Sequence, residues 1–297
     1  MQYNLPQIRG KYRFNVSLSK MCWFGVGGNA SIVFTPLDLP DLIFFLQNLA
    51  VPLPIFVLGV GSNILVRDSG FNGVVIRLGG GFNILKVIND HTIYAGASVL
   101  DYNVSEFTME YGIGGFEFLS GIPGTIGGGI MMNAGAYGSC FADIIHTITC
   151  VDCEGNVLSL TKNDLKFKYR ASNFDKKVIF IGAELLGVQS DNQTILDKIS
   201  YIKSSRASTQ PVKGFKTGGS TFKNPDGYKA WKLINEAECN GLSVGGAQVS
   251  TLHCNFFINN GNATSNDIEM LIEIVREKVF KKSGIVLETE IILLGDK

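Results

Sequence analysis

Gly121-Ile-Pro-Gly-Thr-Ile-Gly-Gly-Gly-Ile130 is the stretch on which the fold turns. Ten glycines lie between Gly112 and Gly138, so 112–138 reads as a glycine-rich loop system rather than a helix or strand. Clustered glycines let successive main-chain N–H groups converge on an anion without a lysine. Gly121, Pro123, Gly124, Thr125, Gly128 and Ala134 are the candidate residues here, with the Thr125 hydroxyl as an added donor. A shorter loop of the same kind, Gly59-Val-Gly-Ser-Asn63, lies between strands expected at Pro54–Leu58 and Ile64–Val66. Its Gly59, Val60, Gly61, Ser62 and Asn63 form a second candidate set. A diphosphate held by amides and hydroxyls fits a dinucleotide cofactor. Tight turns and close packing use the same residues, and spacing alone leaves both readings open.

The elements around these loops are short and mixed. Helices are expected at Pro40–Ala50, at Val99–Tyr111 with Leu100, Val104, Phe107 and Tyr111 aligned, and at Gln193–Ser205. Further helices are expected around Tyr228–Glu238 and over Asn266–Lys282. The last has Asn266 and Glu269 as a capping-box-like pair, Ile268, Leu271, Ile272, Val275 and Val279 on one face, and Gly284 as its stop. Strands are expected at Val74–Leu78, His91–Ala95, Ile144–Val151, Val157–Leu160, Val178–Leu186, Phe256–Asn259 and Ile285–Leu294. Such a mixture argues for an α+β fold rather than a doubly wound sheet. The 297 residues are enough for about two domains, and the polar, basic stretch 206–219 places the main boundary near 190–205.

Composition removes several functions. Lys+Arg and Asp+Glu are 26 each, so the basic excess that binds a nucleic-acid backbone is missing. The 25-residue uncharged stretches Leu42–Val66 and Phe118–Ala142 are broken by proline, glycine and amides, which argues against a membrane span. Cys150 and Cys153 flank one side of a hairpin expected to turn at Glu154-Gly155-Asn156. Residues three apart in a strand face opposite ways, and no second pair completes a zinc site, so no metal is expected. The absence of a leader-like segment and the cysteine usage point to a reducing cytoplasm. Gly25-Val-Gly-Gly-Asn-Ala30 matches G-x-G-x-x-A, but a strand is expected after it where the dinucleotide fold needs a helix.

Several strings together carry a resemblance. Phe24-Gly-Val-Gly-Gly-Asn-Ala30, Val57-Leu-Gly-Val-Gly-Ser-Asn-Ile-Leu-Val66 and Gly121-Ile-Pro-Gly-Thr-Ile-Gly-Gly128 with Asn133-Ala-Gly-Ala-Tyr137 resemble one flavoprotein family. So do Lys168-Tyr-Arg-Ala-Ser-Asn-Phe174, Gly218-Gly-Ser-Thr-Phe-Lys-Asn-Pro225, Gly245–Asn259 and Gly284-Ile-Val-Leu-Glu-Thr-Glu-Ile291. The family is the UDP-N-acetylenolpyruvoylglucosamine reductases, which act on the route to the muramic acid of bacterial peptidoglycan. The resemblance implies an FAD-binding domain of the vanillyl-alcohol-oxidase type with two α+β subdomains, 1–80 and 81–200. A smaller α+β substrate-binding domain, 201–297, would follow, its last strand (285–297) returning towards the flavin. It implies non-covalent FAD, NADPH as co-substrate, UDP-N-acetylenolpyruvoylglucosamine as substrate, ping-pong kinetics and a monomer. Little chain separates Arg170 from the strand at Val178, so the chain resembles the shorter members, which lack a tyrosine-bearing loop over the substrate.

Carried over residue by residue, the family's roles fall on Arg170, Ser220 and Glu290. Hydride addition at C3 of an enolpyruvyl ether builds negative charge that spreads into the substrate carboxylate, where the fixed cation of Arg170 is wanted. Ser220 would protonate C2. Glu290 would hold Arg170 or bind the enolic carboxylate, sharing a strand face with Glu288. Taken singly, an arginine also makes surface ion pairs, and a serine after two glycines also caps a turn. Lys223 and Asn224 lie in the serine motif, His253 and Asn255 alternate in the Gly245–Asn259 string, and Lys213 and Lys216 could neutralise a diphosphate. These six are the candidate substrate contacts. A flavin oxidase of the same fold and a non-catalytic flavin or sugar-nucleotide sensor are the rival functions. The serine motif speaks against the oxidase.

Overall fold

The computed structural model describes residues 4–174, 177–211 and 214–296. The chain divides into two compact units that do not follow chain order. The first comprises Met1–Arg13, Val33–Gly59 and Gly73–Ser204; the second comprises Phe14–Ile32, Val60–Asn72 and Ser205–Lys297.

The first unit is organised by a five-stranded antiparallel sheet. Its order is Val157–Thr161, Ile145–Asp152, Val178–Leu186, Thr92–Gly96, Leu85–Asn89. Alternation along Ile145–Asp152 buries Ile148 and Cys150 on one face, where they join Ile93, Ala95, Phe180 and Leu185 in one apolar cluster. The hairpin turns at 153–156 as expected, because the Asp152 carboxylate accepts the N–H groups of Glu154 and Asn156 at 2.9 Å each. Cys150 is buried and Cys153 exposed, so the pair diverges. Ile55–Val57 and Phe71–Ile76 add a parallel pair.

Two expectations for this unit are corrected. The stretch 112–138 is not loop throughout, since Ile126–Met132 is a helix. Its glycines serve packing: a Cβ on Gly129 would collide with the Phe141 ring. The helix expected at Val99–Tyr111 spans Asp101–Glu110, and its buried residues are Asp101, Val104, Ser105 and Thr108. Leu100 and Tyr111 are exposed, and Phe107 stacks on Tyr111 at 4.9 Å at the margin of that face. Ser105 and Thr108 can be buried because their hydroxyls donate to the carbonyls of Tyr102 and Val104, at 2.8 and 2.9 Å. The helix after this sheet, Asn192–Thr209, is longer than expected.

The second unit packs the helices Ala230–Glu236 and Ser265–Ser283 on an antiparallel sheet. The strand order is Lys216–Ser220, Phe256–Asn259, Ala247–Val249, Ser243–Val244. Ile268, Leu271, Ile272, Val275 and Val279 are all buried, as the 3.6-residue period requires, and close on Phe222, Phe257 and Leu287. Each such burial contributes about 1.5–3 kcal/mol. The long helix is capped two residues before the expected pair: Thr264 and Asp267 form the capping box. Asn266 instead offers its N–H to Asp68, and Glu269 takes a two-pronged bond from Arg67 at 2.9 and 3.2 Å. Gly284 closes the helix at φ +72°. The expected strand Ile285–Leu294 is a strand only at Ile292–Leu294, paired in parallel with Ile64–Val66. Upstream it makes a single bridge, Thr289 to Phe222. Among the described residues no helix is long and apolar enough to cross a membrane.

Candidate active site

In the second unit the serine strand ends in a bulge. Lys216 and Thr217 pair with Asn259 and Ile258, the register then shifts, and Ser220 pairs with Phe256. Gly219 absorbs the shift at φ +78°, a conformation that favours glycine. A Cβ there would meet nothing nearer than the Ser62 carbonyl at 4.0 Å, so open space lies between Ser62 and the serine loop.

Main-chain bonds bring Glu290 to that loop. The Glu290 N–H donates to the Thr221 carbonyl at 2.8 Å, and the Glu290 carbonyl accepts from Asn63 Nδ2 at 3.1 Å. Ile292 N–H donates to the Asn63 carbonyl at 3.0 Å. Ser62, Asn63, Ser220, Thr221 and Glu290 are therefore one constellation, drawn from three distant parts of the chain. Glu290 is half-buried, whereas Glu288 is exposed and meets Lys223 Nζ at 3.4 Å, so the two carboxylates do not share an environment.

Asn255 braces the constellation. It is buried; its Oδ1 accepts the Phe222 N–H at 3.0 Å, and its Nδ2 donates to the Phe222 carbonyl at 2.8 Å. Both ends of the amide are engaged, so Asn255 fixes the serine loop, with the second N–H of its Nδ2 beyond these two bonds. Asn224 Oδ1 accepts the Ala230 N–H at 2.9 Å, at the start of the short helix. Lys216 lays its aliphatic stem over Gly25, with Cδ 2.9 Å from where a Cβ would stand. Lys213 lies outside the described residues.

Three polar atoms on and around the serine strand are buried without a hydrogen-bond partner among the described residues, Thr217 Oγ1, Thr221 Oγ1 and His253 Nδ1. The His253 ring meets Phe256, the cross-strand neighbour of Ser220, edge-to-face at 4.8 Å. Burial pushes its pKa down, so the imidazole is neutral at neutral pH. Thr221 was not among the expected site residues. The signal that finds it is its place beside the serine, where a backbone fixed on both sides leaves the hydroxyl over.

In the first unit the glycine loops close on one hydroxyl. A Cβ on Gly59 would stand 2.8 Å from Thr125 Oγ1, and one on Gly128 would stand 3.5 Å from it. Main-chain N–H groups and a hydroxyl are a donor set that fits the diphosphate of FAD, and the carboxyl that stands against Gly124, that of Asp101, is fully buried with its pKa pushed up by burial. Gly124 carries the same loop past Asp101, whose N–H donates to the Gly124 carbonyl at 3.1 Å. The Ala134 N–H is donated to the Gly129 carbonyl at 2.8 Å and its carbonyl accepts the Phe141 N–H at 3.0 Å, so the contact it can offer a cofactor is one of packing. In the second unit Gly61 stands at φ +71° against the Met21 carbonyl, and its own carbonyl accepts the Trp23 N–H at 2.9 Å.

Arg170 also belongs to the first unit. It sits in a tight turn in which Lys168 and Ala171 exchange main-chain bonds of 2.9 and 3.2 Å. Its φ is +54°, unusual for a residue with a side chain, and its guanidinium lies 5.0 Å over the Tyr169 ring.

Two family models match the chain. One is described as an FAD binding domain and covers residues 30–161; the other, the C-terminal domain of UDP-N-acetylenolpyruvoylglucosamine reductase, covers residues 210–294. Relatives of that name from Rickettsia prowazekii and Rickettsia typhi are each 50% identical over 291 residues, 98% of this chain and 98% of theirs. The chain belongs to the UDP-N-acetylenolpyruvoylglucosamine reductases. The crystal structure of such a reductase from Thermus caldophilus superposes with a TM-score of 0.84 at 30% identity, over 97% of this chain and all of that one. Membership makes this chain an FAD-dependent oxidoreductase with the α+β architecture its sequence implied. The G-x-G-x-x-A string leads into the strand Asn29–Thr35, which leaves no classical dinucleotide helix behind it.

Proposed function

We propose that the chain reduces the enolpyruvyl group of UDP-N-acetylenolpyruvoylglucosamine to give UDP-N-acetylmuramate, a peptidoglycan precursor, with NADPH as reductant. It works as a cytoplasmic monomer. The observation that supports this most directly is the fastening of Glu290 to the serine loop by a main-chain bond and of Asn63 to Glu290 and Ile292.

FAD would be held by Gly59, Gly121, Pro123, Gly124, Thr125 and Gly128 of the first unit and by Val60–Asn63 of the second. Bound FAD supplies the hydride, taken from NADPH, for C3 of the substrate. Arg170 stabilises the charge that gathers on the substrate carboxylate, because a guanidinium presents a planar fork of donors that matches a carboxylate. Ser220 gives its proton to C2. Its hydroxyl is a weak acid in water, so it depends on a held geometry, and Gly219, Thr221 and Asn255 supply that geometry. Glu290 orients the guanidinium or the enolic carboxylate. His253, neutral through burial, offers the sugar nucleotide a hydrogen bond without charge.

Two half-reactions test this. In Ser220→Ala, NADPH should still bleach the flavin at a near-normal rate. Reoxidation by the enolpyruvyl sugar nucleotide should slow by about 10²–10⁴-fold. Stopped-flow absorbance of the flavin reads both, and equal loss in the two half-reactions would make Ser220 structural.

A further inference from the structure

The strand that follows Glu290 has little to hold it in register. Among the described residues Ile292–Leu294 pairs only with Ile64–Val66, in parallel and over three residues. Two-stranded ladders are marginal by themselves, and parallel pairing is the weaker kind. Yet register matters here. Glu290 lies four residues before Leu294, and its N–H and carbonyl are bonded to the Thr221 carbonyl and to Asn63 Nδ2. A slip by one residue would shift it by about 3.3 Å and break both bonds.

One side chain guards that register. Arg67 directly follows the partner strand, and its N–H donates to the Leu294 carbonyl at 2.8 Å. Its Nη1 donates to the next carbonyl, that of Gly295, at 2.7 Å, while Nε and Nη2 hold the Glu269 carboxylate at 2.9 and 3.2 Å. The arginine and glutamate side chains are only 17% and 22% exposed, so this is not a screened surface pair. Glu269 stands on the helix Ser265–Ser283, whose apolar face is buried in the core of the unit. A two-pronged bond fixes the plane of the guanidinium, and with it the direction of the remaining N–H groups. Carbonyls along a strand alternate in direction, so a slipped strand would turn the wrong one towards Nη1. The neighbourhood is equally exact. The Ser69 hydroxyl donates to the Asp296 carbonyl at 2.6 Å. A Cβ on Gly295, at φ +110°, would lie 2.3 Å from the Gly70 carbonyl.

We propose that Arg67 is a positioning residue of the reaction: by locking the register of Ile292–Leu294 onto Ile64–Val66, it sets Glu290 against the serine loop. The inference rests on the functional reading above and deepens it, since Arg67 matters to turnover only through Glu290. Ile292 passes the constraint upstream, its N–H donating to the Asn63 carbonyl at 3.0 Å.

Stopped-flow absorbance of flavin-loaded protein tests it on four chains: the unaltered one, Arg67→Gln, Glu290→Gln and the double variant. Arg67→Gln should be reoxidised by the enolpyruvyl sugar nucleotide about 10- to 10²-fold more slowly, the scale of loss that a displacement near 1 Å brings. NADPH should bleach its flavin at a near-normal rate. In the Glu290→Gln background the same substitution should cost less than about twofold more, because residues that act through one another are not additive. Glu269→Gln frees the guanidinium but leaves the main-chain bonds of the strand. It should repeat the pattern, and it carries the test if Arg67→Gln does not hold flavin. Normal reoxidation in both variants, equal loss in the two half-reactions, or full loss repeated in the Glu290→Gln background overturns the proposal. Failure of the functional reading looks different: reduced flavin in the unaltered chain that the enolpyruvyl sugar nucleotide leaves reduced.

Discussion

Ser220 and Glu290 in the second unit, and Arg170 in the first, are held in opposite ways. Around Ser220 the main chain is satisfied on every side: Thr221 donates to Asn255, Glu290 donates to Thr221, and Asn63 donates to Glu290. The scaffold is at rest, and the atoms unpaired among the described residues are side-chain ones, Thr217 Oγ1, Thr221 Oγ1 and His253 Nδ1. Around Arg170 the backbone itself carries the strain, with three left-handed residues lining one pocket. In the role proposed for it, Ser220 would have to be aimed at one carbon, which a relaxed and over-determined scaffold suits. In the role proposed for Arg170, charge and a plane would matter more than aim, and a projecting turn would suffice.

That contrast is most easily broken at Arg170. Arg170→Lys keeps the charge but loses the planar fork. Losing one preorganised stabiliser of developing charge typically costs about 10²–10³-fold in kcat. The expected loss should fall in the reoxidation half-reaction and leave bleaching by NADPH largely intact. A full-speed Arg170→Lys enzyme would show that point charge alone serves, and that the left-handed turn has another purpose.

Asn255 sharpens the other side. Asn255→Ala leaves the buried N–H and carbonyl of Phe222 without partners, at about 1–3 kcal/mol each. Thermal unfolding should move down accordingly, and turnover should fall in protein that still holds flavin. A variant that unfolds earlier but turns over normally would detach the brace from the chemistry.

How much of this was readable beforehand follows from what each feature depends on. The helix Ser265–Ser283, the hairpin at 153–156 and the α+β class follow from local period and turn chemistry, and the structure has them. Arg170, Ser220 and Glu290 are proposed because short strings carry them, and no spacing places Ser220 near Glu290; that meeting depends on pairing across 70 residues. The cap at Thr264 was misplaced because Asn266 and Glu269 have the right types, and only the tertiary partners Asp68 and Arg67 show them otherwise engaged. The buried face of Asp101–Glu110 was misread for a related reason. Period analysis weighs apolar residues, and Ser105 and Thr108 reach burial by bonding to their own helix.

Asp101 is the first-unit residue that neither period nor motif singles out, since an acid in the first turn of a helix is ordinary. In the structure it is fully buried beside Gly124, and neither carboxylate oxygen has a hydrogen-bond partner among the described residues. Burial pushes its pKa well above the usual carboxylate range. The native state therefore holds a proton that the unfolded chain releases once pH exceeds its ordinary value of 3.8. Stability from this group is full below that pH and is lost as pH rises towards the native pKa, by at most about 1.4 kcal/mol per pH unit. Asp101→Asn keeps the shape and removes the proton, so its stability should lack this downward slope and overtake the parent at alkaline pH. Denaturant unfolding of both proteins between pH 4 and 9 reads the difference directly. Parallel curves would mean that Asp101 ionises freely in the native chain. The flavin loop would then rest on paired scaffolding like that around Ser220, and the contrast between the units would narrow to Arg170 alone.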